Sequence, residues 1–168
     1  MPYRHTLLFL LATLTTIDAS AWSRIADAHI HSVNGMPCFS ITKKEEARNG
    51  TPMLGALIVS DLSVQPVKKV WSFSTPPDRP IPIHADSCIR YGDLPPTATG
   101  IKPKSLVPGH FYSAFLNGRP KDPSDPTYGY VAKFCLVQQV SAKPRLVVIQ
   151  SDAQAWMDDR CPAKNPIP

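Results

Sequence analysis

Apolar and polar positions alternate most cleanly over Val67–Ser74 (VKKVWSFS), which sets Trp71 and Phe73 on one side and Ser72 and Ser74 on the other. Period two is the signature of a half-buried strand. Met53–Leu62 (MLGALIVSDL) is apolar on both sides, with Leu54, Ala56 and Ile58 against Leu57 and Val59, and so predicts a buried central strand. Pro37–Ile41, Ile83–Tyr91 (bent near Ala85-Asp86), His110–Leu116, Tyr128–Val137 and Arg145–Gln150 complete seven predicted strands. Thr42–Asn49 is a polar turn or one helical turn. Ser151 with Gln154 has capping-box spacing, so a short helix is expected over Asp152–Met157. Trp22–Asn34 is mixed and reads as a loose arm, and the tail 162–168 as frayed.

Short strands with at most one short C-terminal helix predict an all-β domain, an antiparallel β-sandwich. Composition agrees. Nineteen prolines against eight glycines favour short elements between rigid turns, and 43% hydrophobic residues in a chain of 168 can fill one core. Leu106-x-Pro108-Gly109-x-x-Tyr112 is similar to the tyrosine corner of fibronectin type III and immunoglobulin-like domains, where the hydroxyl bonds a nearby backbone group. On that reading Tyr112, Ala114 and Leu116 face the core. A plain Pro-Gly turn before an aromatic strand is the alternative.

The first 21 residues have the form of an export signal: Arg4 and His5, the apolar run Leu7–Leu14, then Ala19-Ser20-Ala21 as the cleavage site, with Ala26 or Ala28 as later alternatives. The domain is then 35–161, placed in the periplasm or outside the cell. No run is long enough to span a membrane, and with no cysteine near the signal no lipid anchor is expected. Loss of the signal removes one basic and one acidic residue, Arg4 and Asp18, so the net charge stays at +5. The basic residues are scattered, which argues against nucleic acid as partner.

Four cysteines, Cys38, Cys88, Cys135 and Cys161, predict two disulfides in an exported chain. Three pairings exist. The nested one, Cys88 with Cys135 and Cys38 with Cys161, is preferred here because it ties the chain ends.

Catalytic patterns are weak, and neither an enzyme nor a cofactor is expected. Asp27-Ala-His29-Ile-His31 resembles the opening of an amidohydrolase metal site, but that fold needs about 250 residues, and only His84 and His110 remain outside the signal as further ligands. No metal is therefore expected. There is no G-x-S-x-G, and Glu45 and Glu46 are the only glutamates. The loop Asn117–Tyr130 is the recognition candidate: Arg119, Asp122, Asp125 and Tyr128 sit on a frame stiffened by Pro120, Pro123 and Pro126.

At PCFSI, VWSFS, CIRYGDLPP and above all NGRPKDPSDPTYGYVAKFCL, the chain resembles a family of bacterial extracytoplasmic proteins, many of them lipoproteins, described as immunity proteins of type VI secretion systems. The resemblance runs from Asn34 to Cys161, and the chain departs from the lipoprotein members in lacking a lipobox cysteine. It implies a small periplasmic β domain that binds and blocks a secreted toxic effector. The alternative is a structural or adhesive subunit of Ig-like fold.

Overall fold

The structure, a computed structural model, describes residues 23–139 and 144–162. The export signal and the last six residues lie outside the described residues. The ten strands are β1 (Arg24–Val33), β2 (Met36–Ile41), β3 (Met53–Asp61), β4 (Lys68–Ser74), β5 (Ile81–Pro82), β6 (Ile89–Arg90), β7 (Thr99–Ile101), β8 (Phe111–Arg119), β9 (Thr127–Val137) and β10 (Arg145–Ile149). Two short helices, α1 (Lys43–Asn49) and α2 (Gln154–Met157), complete the described elements.

All ten strands belong to one hydrogen-bonded sheet of order β6-β2-β1-β9-β8-β3-β4-β7, with β10 beside β9 and β5 beside β3. Every pairing is antiparallel except β1 with β9, which is parallel. The sheet is curled. Phe39 on β2 and Trp71 on β4 have ring centroids 6.2 Å apart, although four strands lie between theirs in hydrogen-bond order. In a flat sheet, five strand spacings would separate them by about 24 Å. The curl is driven from its concave side, where Phe39, Trp71, Tyr112, Tyr130 and Phe134 are at most 1% exposed. Burying each large side chain there contributes about 2–3 kcal/mol against the unfolded chain.

The all-β, disulfide-stapled class and most predicted strands are present. Trp71 and Phe73 face the core, as do Tyr112, Ala114 and Leu116. The Val107 N–H donates to the Tyr112 hydroxyl at 2.7 Å, the contact that the tyrosine-corner sequence predicts.

Several expectations are corrected. The loose arm is the ten-residue strand β1, closed on β2 by a two-residue turn at Asn34 (φ 52°) and Gly35 (φ 82°), the left-handed geometry that Asn-Gly adopts readily. Ile83–Tyr91 carries only β6: the Ala85 N–H is taken by the Glu46 carboxylate (2.9 Å), so the chain there bonds to a helix side chain and not to a strand. Residues 92–104, where no strand is predicted, contain β7. At α2 the N-cap is Ala153, without a side-chain cap; Ser151 Oγ donates instead to Asp27 Oδ2. The disulfides join Cys38 to Cys88 and Cys135 to Cys161, and the nested pairing is wrong. β2 hydrogen-bonds β6, which brings Cys88 to Cys38, while the C-terminal segment folds back over β9 and brings Cys161 to Cys135.

Candidate functional site: the convex face of the sheet

The convex side of the sheet has two halves. One is covered by the chain's own C-terminus: Phe111, Cys135 and Ile149 are buried there beneath Trp156, Ala153 and Cys161. Lys133 on β9 clamps this cover. Its Nζ donates to the Trp156 carbonyl (2.9 Å), pairs with Asp159, and lies 4.9 Å from the Trp156 ring centroid.

The other half has no such cover among the described residues. A single cross-strand row runs Ile101, Ser72, Ile58, Phe115, Val131 and Asp27, each the direct register partner of the next on β7, β4, β3, β8, β9 and β1. Ile58, Phe115 and Val131 are half-buried and Ile101 is 44% exposed. Lys69, Ala56 and Ser74 line a shallow depression on the β4 side of this row. Phe115 leans toward the next strand, its ring 6.4 Å from that of Tyr128. Two and four residues further along β8, Asn117 and Arg119 are exposed on the same side, so the row leads into the Asn117–Tyr130 loop.

The four predicted recognition residues separate. Arg119 is exposed and Tyr128 half-buried beside Phe115. Asp125 is turned inward, its side chain 5% exposed; Oδ1 accepts the Thr127 N–H at 2.8 Å and Oδ2 pairs with Arg48 at 3.4 Å. Asp122 stays at the surface but closes its own turn, accepting from the Ser124 N–H (2.9 Å) and hydroxyl (2.7 Å), which holds its carboxyl below the usual range. The aspartates thus build the loop, and its exposed basic groups are Arg119 and Lys121.

The loop is anchored from beneath. Arg24 at the start of β1 grips Glu45 of α1 through two hydrogen bonds (2.6 and 2.5 Å) and also donates to Thr127 Oγ1 (2.8 Å). The bond to Glu45 raises the Arg24 pKa further, so the guanidinium is a fixed charge. Burial pushes the neighbouring Tyr130 hydroxyl up to about 12. α1 itself starts on a cap that went unread in the sequence, Thr42-x-x-Glu45, with the Glu45 N–H donating to Thr42 Oγ1 at 3.2 Å.

The contacts of His84 do not form a catalytic relay. His84 Nδ1 lies 2.9 Å from Glu46 Oε1 and 3.3 Å from Thr51 Oγ1, so carboxylate and hydroxyl face the same ring nitrogen. A nucleophile–base–acid relay needs them on opposite nitrogens. His110 Nδ1 bonds Asp61 Oδ2 at 2.8 Å.

Comparison with family models, with curated proteins and with solved structures finds no match to the chain. No helix among the described residues is long and apolar enough to cross a membrane.

Proposed function

We propose that the chain is an exported binding protein of the immunity type, which holds a secreted toxic effector in the periplasm against its uncovered convex face. The observation that carries this reading is the directly opposed row Ile58, Phe115 and Val131 on three adjacent strands. Large apolar side chains on the solvent side of a sheet, rimmed by polar ones, mark a surface built to be covered. The same side of the sheet already accepts Trp156 and its neighbours from the chain's own C-terminus, so the uncovered half continues a working interface. Lys69 and Arg119 flank the row on opposite sides along the strand direction and favour a partner with acidic groups on those two sides of an apolar centre, while Asp27 ends the row on β1. The two disulfides suit an oxidising compartment, and the resemblance of Asn34–Cys161 to type VI immunity proteins supplies the partner class. We read the curled sheet as an Ig-like sandwich whose layers meet at Phe39 and Trp71.

The test is periplasmic co-expression with secreted toxins encoded beside this gene. The wild-type chain should protect against one of them, and a folded Phe115→Asp variant should not. Equal killing with and without the chain would sink the immunity reading. Co-purification with a surface assembly would favour the adhesive alternative.

A further inference from the structure

The two disulfides differ in their surroundings. Cys161 Sγ has backbone oxygens beside it, those of Gly109 and His110, both at 3.4 Å. Cys88 Sγ has an imidazole: His31 Nε2 stands 3.4 Å away. The register accounts for this, since His31 is the direct partner of Cys38 on the β1–β2 hairpin and Cys38 is bonded to Cys88. A ring nitrogen of His31 and the two sulfurs all lie within 4.8 Å of one another.

The next cross-strand pair on that side of the hairpin is His29 with Ser40. The His29 and His31 ring centroids are 5.5 Å apart. Ser40 is fully buried, and its hydroxyl has no hydrogen-bond partner among the described residues. A buried unpartnered hydroxyl is costly, of the order of 1–3 kcal/mol, and calls for a ligand or a water beside it.

We propose that reduction of the Cys38–Cys88 disulfide opens a Zn2+ site whose ligands are Cys38 Sγ, Cys88 Sγ and His31 Nε2. A dithiol reductant supplies the chemistry. The S–S bond accepts two electrons and two protons to give two thiols, while the reductant closes to its own disulfide. Zn2+ then displaces both thiol protons to solvent and binds two thiolates and one neutral imidazole. Two sulfurs and one nitrogen form a donor set that zinc takes in tetrahedral sites. The fourth position falls to His29 or to a water, and a water there has the Ser40 hydroxyl on the same side of the hairpin. The metal replaces the disulfide as the link between β2 and the segment before β6, so the staple survives a reducing encounter in another form.

The proposal does not rest on the effector-binding reading: its three ligands, His31, Cys38 and Cys88, lie outside the row through Phe115, which reaches β1 only at Asp27. The experiment is anaerobic titration of the purified, phosphine-reduced protein with Co2+ as a spectroscopic stand-in, followed by Zn2+ competition, with circular dichroism recorded throughout. One equivalent of Co2+ should give thiolate-to-metal charge transfer with intense tetrahedral visible bands, which Zn2+ abolishes. The oxidised protein should give neither. His31→Ala should weaken binding by about tenfold or more, and the double variant Cys38→Ser/Cys88→Ser, reduced in the same way, should lose the bands although the Cys135 and Cys161 thiols remain. Absence of thiolate–cobalt bands in the folded reduced protein would overturn the proposal, as would binding unchanged in His31→Ala. Should reduction unfold the chain, failure of one equivalent of Zn2+ to restore the native dichroism would overturn it too.

Discussion

The Phe115 ring occupies the space that a side chain at Gly129 would need: a β-carbon at 129 would stand 2.5 Å from Phe115 Cζ and 3.1 Å from the Leu116 carbonyl oxygen. Glycine on β9 is therefore what lets Phe115 settle across the neighbouring strand. Gly129→Ala should displace the ring and cost about 1–3 kcal/mol, the usual range for overpacking a site that cannot relax. Urea denaturation measures it. A cost within error of zero would mean that Phe115 moves freely and is not a fixed part of the surface.

The Arg24–Glu45 pair makes a second prediction. Glu45 is buried while the Arg24 side chain is 28% exposed. Arg24→Ala leaves a buried carboxylate without its cation and should destabilise the fold by about 3 kcal/mol, the low end for breaking a buried pair because the arginine is partly solvated. The double variant Arg24→Met/Glu45→Leu should recover most of that loss. Urea midpoints of the three proteins decide it, and a double variant no better than Arg24→Ala would refute the account.

Tyr112→Phe removes only the hydroxyl and leaves the Val107 N–H short of its acceptor. A loss of about 1–2 kcal/mol is expected, with the fold otherwise intact. Thermal unfolding monitored by near-ultraviolet dichroism is the readout.

These three relationships also mark what could be read from the chain. The core strands were legible because Trp71, Phe73 and Tyr112 are large and alternate with Ser72, Ser74 and Ser113. β1 was hidden because its inward residues are Ala26, Ala28 and Ile30, and alanine is a weak strand signal. The Asn34-Gly35 pair was nonetheless a hairpin signal that could have revealed it. The parallel β1–β9 contact and the disulfide pairing depend on which edges meet, and no local pattern encodes that. Of the predicted recognition residues, Arg119 and Tyr128 adjoin the convex face, whereas Asp125 turns inward, a difference that does not show in sequence because a carboxylate in a Pro-rich loop looks the same whether it faces solvent or its own backbone. Phe115 and Ile58 were missed as surface residues because large apolar residues are assigned to a core by default.

Acid should loosen the link between α1 and the segment after β5. Glu46 accepts the Ala85 N–H and bonds His84 and Thr51, and these contacts, the backbone bond foremost, hold its pKa below the ordinary 4.5. A carboxyl with a depressed folded-state pKa adds stability above the unfolded value, and that stability is lost as pH falls through the folded one. Glu46→Gln should therefore flatten the decline in melting temperature between about pH 5 and pH 3 relative to wild type. Parallel melting curves for the two proteins across that range would contradict this.

The central claim is that the convex row is the partner-binding surface, and calorimetric titration of the purified effector into this chain tests it most directly. Phe115→Asp should retain the wild-type circular dichroism and lose affinity by about thirtyfold or more, the weight of a hot-spot residue of about 2 kcal/mol, whereas Asp122→Asn, confined to its own turn, should bind as wild type. An effector that binds folded Phe115→Asp as tightly as the wild-type chain would contradict the account.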